Sequence, residues 1–403
     1  MQPNSHVVQD VWRHYVVTGS IPHDVLRKPI DKAWRRCTQV GASPFVMRAR
    51  ELRQQEANAL LERESNLIEA ARPYMRALSR AAGDERHAAM LGDRNAVVVD
   101  VIGDEESVHG RERVPGPGSL LDEHQAGSNG IGSPLQENGY IELIGPEHFI
   151  EGFHPFTCQG LPLTGPRGDT VGVLSTSVRR VEASHKIREI LFCAARGIEA
   201  ELYRRELSLE LQKLIEGETE ASLLERLRQD MVQIHGAARL RLEKATLMAR
   251  KGLDAEVAAL INTATDLIDR FQRQSRLWLE IATAANEPPD FLDLVQLTRE
   301  IAALLATEAS VRGLEVVVNA PVPVPVFADR VDVQRTLFRA FLHAFQAAPL
   351  RSTVAAVVHA DESLAIGVVH FPSVPEVVVA VDQYPETHLA TGVGSYEVGR
   401  HHD

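Results

Sequence analysis

Cysteine is scarce, with three in 403 residues, at positions 37, 158 and 193. An odd number spread so widely argues against a disulfide scaffold and against a clustered cysteine metal site. Basic residues do not dominate either, since 43 Lys and Arg stand against 55 Asp and Glu and leave a formal charge of -12. Such a chain offers no positive field to a phosphate backbone, and direct nucleic-acid binding is disfavoured. The groups Trp34-Arg35-Arg36 and Arg239 with Arg241 are local exceptions. No apolar run is long enough to span a bilayer, and MQPNSHVVQD at the start has neither the basic stretch nor the apolar core of a secretory leader. A cytoplasmic protein without membrane contact is expected. The phosphate-loop pattern Gly-x-x-x-x-Gly-Lys-Ser/Thr is missing, and no DNA-binding helix pair is recognisable.

What is present is an ordinary globular composition, 44% hydrophobic and 24% charged, on a chain long enough for two or three cores. Its most regular stretch lies between Leu202 and Phe291. Leu207, Leu211, Leu214, Leu223, Leu224, Leu227, Met231 and Ile234 return every three or four residues. After a break at Lys251-Gly252, a second stripe follows from Leu253 through Val257, Leu260, Ile261, Ala264, Leu267, Ile268 and Phe271. Two amphipathic helices joined by a short turn make an antiparallel hairpin, and such a hairpin covers its apolar surface by meeting a second copy or another domain. A four-helix homodimer burying Leu223, Leu227, Ile234, Val257, Leu260, Ala264, Leu267 and Phe271 is expected; an intramolecular spacer is the alternative.

Before the hairpin, a short helix is predicted near residues 22 to 36, and a longer one from about Arg48 to Ser79, kinked or restarted at Pro73. Strands are predicted at residues 95 to 100, 141 to 144 and 170 to 176, separated by a Gly- and Pro-rich loop from 110 to 133 with a short helix near Leu120 to Gln125. A helix from Ser184 to Arg205 runs on into the hairpin. Beyond Pro288-Pro289, the pattern gives a helix over 292 to 312, a strand over 314 to 318, a helix over 329 to 347 and β-rich runs at 353 to 358, 364 to 370 and 377 to 381. That is a layer of helices on an antiparallel sheet.

Several segments carry a resemblance. Ala33-Trp34-Arg35-Arg36-Cys37, Gly127-Ser128-Asn129-Gly130-Ile131-Gly132-Ser133-Pro134-Leu135, Gly145-Pro146-Glu147-His148-Phe149, Cys158, Gly165-Pro166-Arg167-Gly168 and Gly172-Val173-Leu174-Ser175 occur in the order found in one group of regulators. Over about residues 25 to 205, the chain resembles the GAF-containing sensory region of acetoin-catabolism type bacterial activators. The resemblance implies a sheet whose loops and helices surround a small cavity for a small molecule or a partner regulator. Asn129, His148 and Cys158 are the candidate ligand-binding residues; the alternative is that they hold the loops together. One His and one Cys ten positions apart make neither a metal set nor a catalytic pair, and no metal or cofactor is expected.

Over about residues 216 to 400, the chain resembles the dimerisation and nucleotide-binding modules of a two-component sensor histidine kinase. His235 stands where that family's phosphoacceptor would be. Gly236 replaces the acidic residue expected after it, and Leu240 replaces the Pro. His343 takes the place of the magnesium-holding Asn, and imidazole suits that hard cation poorly. Phe371-Pro372-Ser373-Val374-Pro375 stands where an adenine-binding Asp and glycines are expected, and only Gly392 and Gly394 suggest a second glycine loop. The resemblance therefore implies a degenerate module kept for dimerisation and partner recognition.

The expectation is a multidomain α+β protein: helical lead-in 1-80, GAF-like α/β sensor 81-180, connecting helix 181-215, dimerisation hairpin 216-288, and degenerate histidine-kinase ATPase-like sandwich 289-403. Its function would be non-catalytic signal transduction to a response regulator or another signalling protein. Two alternatives stay open, histidine phosphotransfer through His235 and transcription regulation.

Overall fold

The computed structural model describes residues 5–21, 25–215, 236–249, 254–283, 288–375 and 377–384. The chain is a mixed α/β protein of two compact units, one made of Met1–Glu206 and Met231–Arg273, the other of Leu207–Asp230 and Gln274–Asp403. No helix among the described residues is long and apolar enough to cross a membrane. His235, Gly392 and Gly394, with Leu223, Leu227 and Ile234, lie outside the described residues.

The first unit opens with α1 (Ser5–Thr18), α2 (Lys28–Gln39), α3 (Gln54–Arg63) and α4 (Ser65–Ala82). Its strands are β1 (His87–Asp93), β2 (Val98–Gly103), β3 (Ile141–Ile144), β4 (Thr157–Thr164) and β5 (Thr170–Val178). They form one antiparallel sheet in the order β2-β1-β5-β4-β3. Three short helices, α5 (Glu105–His109), α6 (Glu123–Ala126) and α7 (Gly132–Glu137), lie in the connections. Then come α8 (Val181–Ile215), α9 (residues 236–249) and α10 (Asp254–Thr283).

The helical lead-in packs on the sheet that follows it. Val8, Trp12 and Tyr15 of α1 and Ile30 and Trp34 of α2 share one apolar cluster with Met90, Val98, Phe149 and Val173 of the sheet and its loops. The long helix expected to kink at Pro73 breaks instead at Glu64, whose φ of -88° and ψ of 9° separate α3 from α4. Pro73 lies inside α4, where it removes one backbone bond. Burial of Ala70, Ala71, Tyr74 and Met75 on both sides of it keeps the helix continuous.

The apolar stripe of α10 is covered within the chain. Ile261, Ala264, Ile268 and Phe271 are buried, and the Gln272 amide donates to the Arg196 carbonyl of α8 at 3.3 Å. Ala264 and Phe271, expected to be buried in a four-helix seam, are thus buried already within one chain. Val257, Leu260 and Leu267, on the flank of the same helix, are half-buried.

In the second unit, β6 (Asp290–Asp293) pairs with β8 (Pro325–Ala328), and β7 (Glu315–Asn319), β9 (Thr353–Asp361), β10 (Ile366–His370) and β11 (Val378–Asp382) form a sheet in the order β11-β10-β9-β7. Helices α11 (Leu294–Leu304), α12 (Ala306–Val311) and α13 (Arg330–Ala347) complete it. The Asp329 carboxylate caps α13 by accepting from the Val331 amide at 2.8 Å, and Val333, Leu337, Ala340, Phe341, Ala344 and Phe345 are buried along one stripe, as the 3.6-residue period predicts. The sheet is not wholly antiparallel, because β7 and β9 run parallel from Glu315–Thr353 to Asn319–Val357. The intervening β8 and α13 supply the crossover that parallel neighbours need.

Gly197 shows how closely the helices of the first unit approach. A Cβ there would stand 2.2 Å from Cε1 of the buried Tyr74 ring, so α8 rests on α4 only without a side chain. Helix propensity alone favours Gly197→Ala by about 1 kcal/mol, whereas overpacking costs about 1–3 kcal/mol. The buried Tyr74 ring has no solvent to swing into, so a net loss of up to about 2 kcal/mol is expected. Urea denaturation checks it; a raised midpoint would contradict the close contact.

Candidate functional site

The loop carrying Asn129 lies on the sheet of the first unit. A Cβ on Gly130 would fall 2.6 Å from the Ser175 hydroxyl, and one on Gly160 would fall 2.0 Å from the Gly130 carbonyl oxygen. Glycine at these two positions lets the loop backbone lie directly against β4 and β5. The Asn129 side chain then ties the loop to itself. Its Nδ2 donates to the carbonyls of Leu121 at 2.7 Å and Gly127 at 2.8 Å, and its Oδ1 accepts from the amides of Ile131 at 2.9 Å and Gly132 at 2.8 Å. Those four bonds use the capacity of the carboxamide, so Asn129 shapes the site and has little left to offer a ligand.

Beside this loop is a small cavity of about 20 Å3 bordered by Met90, Asn129, Phe153, Phe156, Cys158 and Ser177. That is room for roughly one water. The Cys158 thiol reaches the Ser177 hydroxyl at 3.5 Å, and burial pushes it up to about 11, so it stands protonated near neutrality and is a poor nucleophile. Cys37 and Cys193 are buried and likewise shifted upward by desolvation.

Asn129 and Cys158 thus meet at one cavity, and His148 does not join them. The His148 ring is fully buried behind the aromatic wall, 5.9 Å from the Phe153 ring, with Nδ1 2.9 Å from the Gly145 carbonyl oxygen and Nε2 without a partner. Desolvation lowers it to about 4, only partly offset by the bond to Gly145. His343 is exposed on α13. Phe371, where the adenine-binding segment is expected, is fully buried with its ring 5.0 Å from that of Phe341.

Phe153, Phe156 and Arg179 carry the wall and escape the sequence reading. The Arg179 guanidinium lies 4.1 Å from the centroid of Phe156 and donates to the carbonyls of Glu112 at 2.6 Å and Pro155 at 3.5 Å. A signal was available, because three of the 12 phenylalanines fall at 149, 153 and 156 in a chain with few aromatics.

The buried imidazole makes stability pH-dependent. The unfolded chain takes up a proton near pH 6.5, while folded His148 resists it until about 4. Between those values the unfolded state binds more protons, so stability falls as pH falls, by up to about 3 kcal/mol from this group. His154 is also lowered by burial and adds in the same direction. His148→Asn should flatten the dependence between pH 7 and pH 4.5 in denaturant titrations; an unchanged slope would contradict the buried neutral ring.

No family model matches the sequence. The chain is similar to a signal-transduction and transcriptional-control protein of Clostridium beijerinckii, 29% identical over 186 residues that cover 46% of this chain and 29% of that protein. It is also similar to the propane 2-monooxygenase operon transcriptional activator MimR of Mycolicibacterium smegmatis, 23% identical over 214 residues covering 52% of this chain and 34% of MimR. The chain thus spans about a third of the length of the curated relatives it matches. Among solved structures, the E. coli DhaR(N)-DhaL complex aligns with a TM-score of 0.41 at 12% identity over 53% of this chain and 68% of that one. Histidine kinase ThkA in complex with response regulator protein TrrA aligns with a TM-score of 0.21 at 16% identity over 70% of this chain and 78% of that one. The curated relatives it matches are regulators of signalling and transcription.

Proposed function

We propose that the chain is a non-catalytic cytoplasmic signalling regulator. Its GAF-like first unit receives a small-molecule or protein signal, and a homodimeric helical region conveys it to a response regulator or another signalling protein. The observation that carries this reading is the place of Arg179. Its guanidinium lies over the ring of Phe156, which borders the cavity, and its backbone lies between β5, which ends at Val178, and α8, which begins at Val181. In this reading a change at the wall passes through Arg179 to the start of a 35-residue helix. The similarity to regulators of signalling and transcription supports the same class.

The second unit is proposed as a degenerate histidine-kinase-like module. Phe371 is spent on the core against Phe341, and His343 replaces the oxygen ligand that magnesium prefers. Calorimetry with magnesium and ATP should give no micromolar binding; binding followed by phosphate incorporation would refute the assignment. His235, as a phosphotransfer residue, is the alternative, and loss of label from a phosphorylated receiver to wild type but not to His235→Ala would establish it.

The dimer proposal rests on apolar residues that the chain leaves uncovered. Leu240 and Leu247 of α9 are 67% and 52% exposed and seven residues apart, the repeat of a helical seam. Half-buried Val257, Leu260 and Leu267 continue the apolar surface on α10. Leu240→Asp with Leu247→Asp leaves the internal packing intact and places carboxylates in the seam, so sedimentation equilibrium should show a wild-type dimer and a monomeric variant. A wild-type monomer at all concentrations would end the dimer reading.

A further inference from the structure

Across the wall formed by Phe153 and Phe156 lies a second cavity, of about 60 Å3, whose polar border includes Arg48, Arg111, Arg113 and Ser119. Its walls are built segments of the fold. Glu51 and Ser119 form an antiparallel bridge, the Leu52 amide donates to the Gly118 carbonyl at 2.9 Å, and the Gly152 amide donates to the Val46 carbonyl at 3.1 Å. A Cβ on Gly152 would fall 2.1 Å from the Met47 carbonyl oxygen, so this glycine is what lets the two segments close on each other. Sequence positions 48, 111 and 119 thus border one hollow although they lie far apart in the chain.

The charges of this cavity run against the chain as a whole. In a protein of net charge -12, three guanidinium groups gather at one small hollow. Their single carboxylate neighbour there is Glu51, 3.8 Å from Arg113, in a pair with both side chains more than half exposed. Such a pair is weakly held and readily exchanged for another anion. Arg48 and Arg111 have no ion-pair partner among the described residues. An independent observation points to the same missing group: Ser119 is almost fully buried, and its hydroxyl has no hydrogen-bond partner. A buried hydroxyl left unpaired is costly unless something in the site completes it.

The geometry points to a receptor site for a short-chain monocarboxylate. The carboxylate is held by Arg111 and Arg113 with Arg48 nearby and accepts from the Ser119 hydroxyl, while the hydrocarbon end rests on Phe153 and Phe156 and points toward the inner cavity at Cys158. Phosphate is the competing anion, and the apolar part of the border, Val114, Pro115 and the two phenylalanines, favours a ligand with a hydrocarbon end. Size sets the chain length. The hollow, at about 60 Å3, and the inner cavity, at about 20 Å3, have room for only a few heavy atoms, which suits an acid of a few carbons. The binding does not depend on the signalling proposal; its consequence for α8 rests on that reading.

Calorimetry on the full chain with sodium propanoate, butanoate and pentanoate, with 1-butanol and with inorganic phosphate decides it. Butanoate should bind with a dissociation constant at or below about 1 mM, a modest demand on six heavy atoms. Arg111→Ala with Arg113→Ala, both at exposed positions, should weaken it more than about 30-fold, and Ser119→Ala about 5- to 10-fold. Arg94→Ala, at an exposed arginine that does not line the cavity, should leave it unchanged. Equal binding of 1-butanol, phosphate binding without carboxylate binding, full affinity in the double variant, or no binding of any acid would each overturn the assignment. Hydrogen exchange over residues 181 to 215 with and without butanoate separates the two proposals. Binding that leaves the exchange unchanged keeps the site and removes ligand signalling through α8.

Discussion

Two carboxylates almost shut off from water hold the first unit together. Glu147 accepts from Arg27 Nε at 2.8 Å and from the Ile144 amide at 2.9 Å, while Glu123 accepts from Arg36 at 2.8 and 2.9 Å and from the Ser133 hydroxyl at 2.7 Å. Arg36 also pairs with Glu137, and Trp34, between the two arginines in sequence, donates its indole N–H to the Glu147 carbonyl at 2.8 Å. Arg36 and Trp34 of α2, with Arg27 at its N-cap, are thus bound to three separate connecting segments. Ion pairs of this kind add little net stability compared with apolar packing, but removing one partner leaves a buried charge and costs about 3–5 kcal/mol. Their effect here is to fix position: they tie α2 and Arg27 to the segments around Glu123, Glu137 and Glu147.

In that arrangement the helical lead-in packs on the sheet. A helix stripe in the sequence reports that a face is buried and leaves its partner open. Trp12 and Trp34 belong to the sheet unit because their indole N–H groups find the Phe149 and Glu147 carbonyls, more than 110 residues away in the chain. Strands β1 and β4 were illegible for a different reason. All seven residues of β1 are buried, so no alternation of polar and apolar residues marks it, and β4 carries Gln159, Gly160 and Pro162. The predicted start of β2 was early because Asp93 accepts from the amides of Asn95 and Val97, turning residues 93 to 97 into a tight corner with Ala96 at a φ of 61°. In the second unit, by contrast, runs such as Val354, Ala356 and Val358 alternate with less buried neighbours, and each predicted run met its strand to within a few residues.

The site was legible in proportion to how local its chemistry is. The glycines around Asn129 announced close backbone approach, and the structure spends them on that. The carboxamide itself looked like a ligand group and proves to be the loop's internal brace. No sequence rule joins Arg48 to Arg111, which lie far apart in the chain and border one hollow beside the bridge at Glu51 and Ser119. The covered stripe on α10 has the same lesson. Ile261 and Phe271 lie on the predicted stripe and are buried, but what buries them is decided by tertiary packing, and the large apolar residues exposed on α9 are the less conspicuous Leu240 and Leu247.

The aromatic wall joins these parts physically. Phe153 and Phe156 border both cavities, so any occupant that grows from one toward the other must move a ring. Phe153 backs onto His148, a buried neutral imidazole with an unpaired nitrogen, and Phe156 lies under Arg179. Moving Phe156 forfeits the guanidinium contact, worth about 0.5–2 kcal/mol, at a residue whose backbone lies between β5 and α8. Moving Phe153 instead disturbs a histidine far more costly to protonate than one in water, which ties the wall to acidity. The two rings therefore have different neighbours: Phe156 meets the guanidinium of Arg179, whose backbone lies between β5 and α8, and Phe153 meets the imidazole of His148, in the segment that follows Glu147.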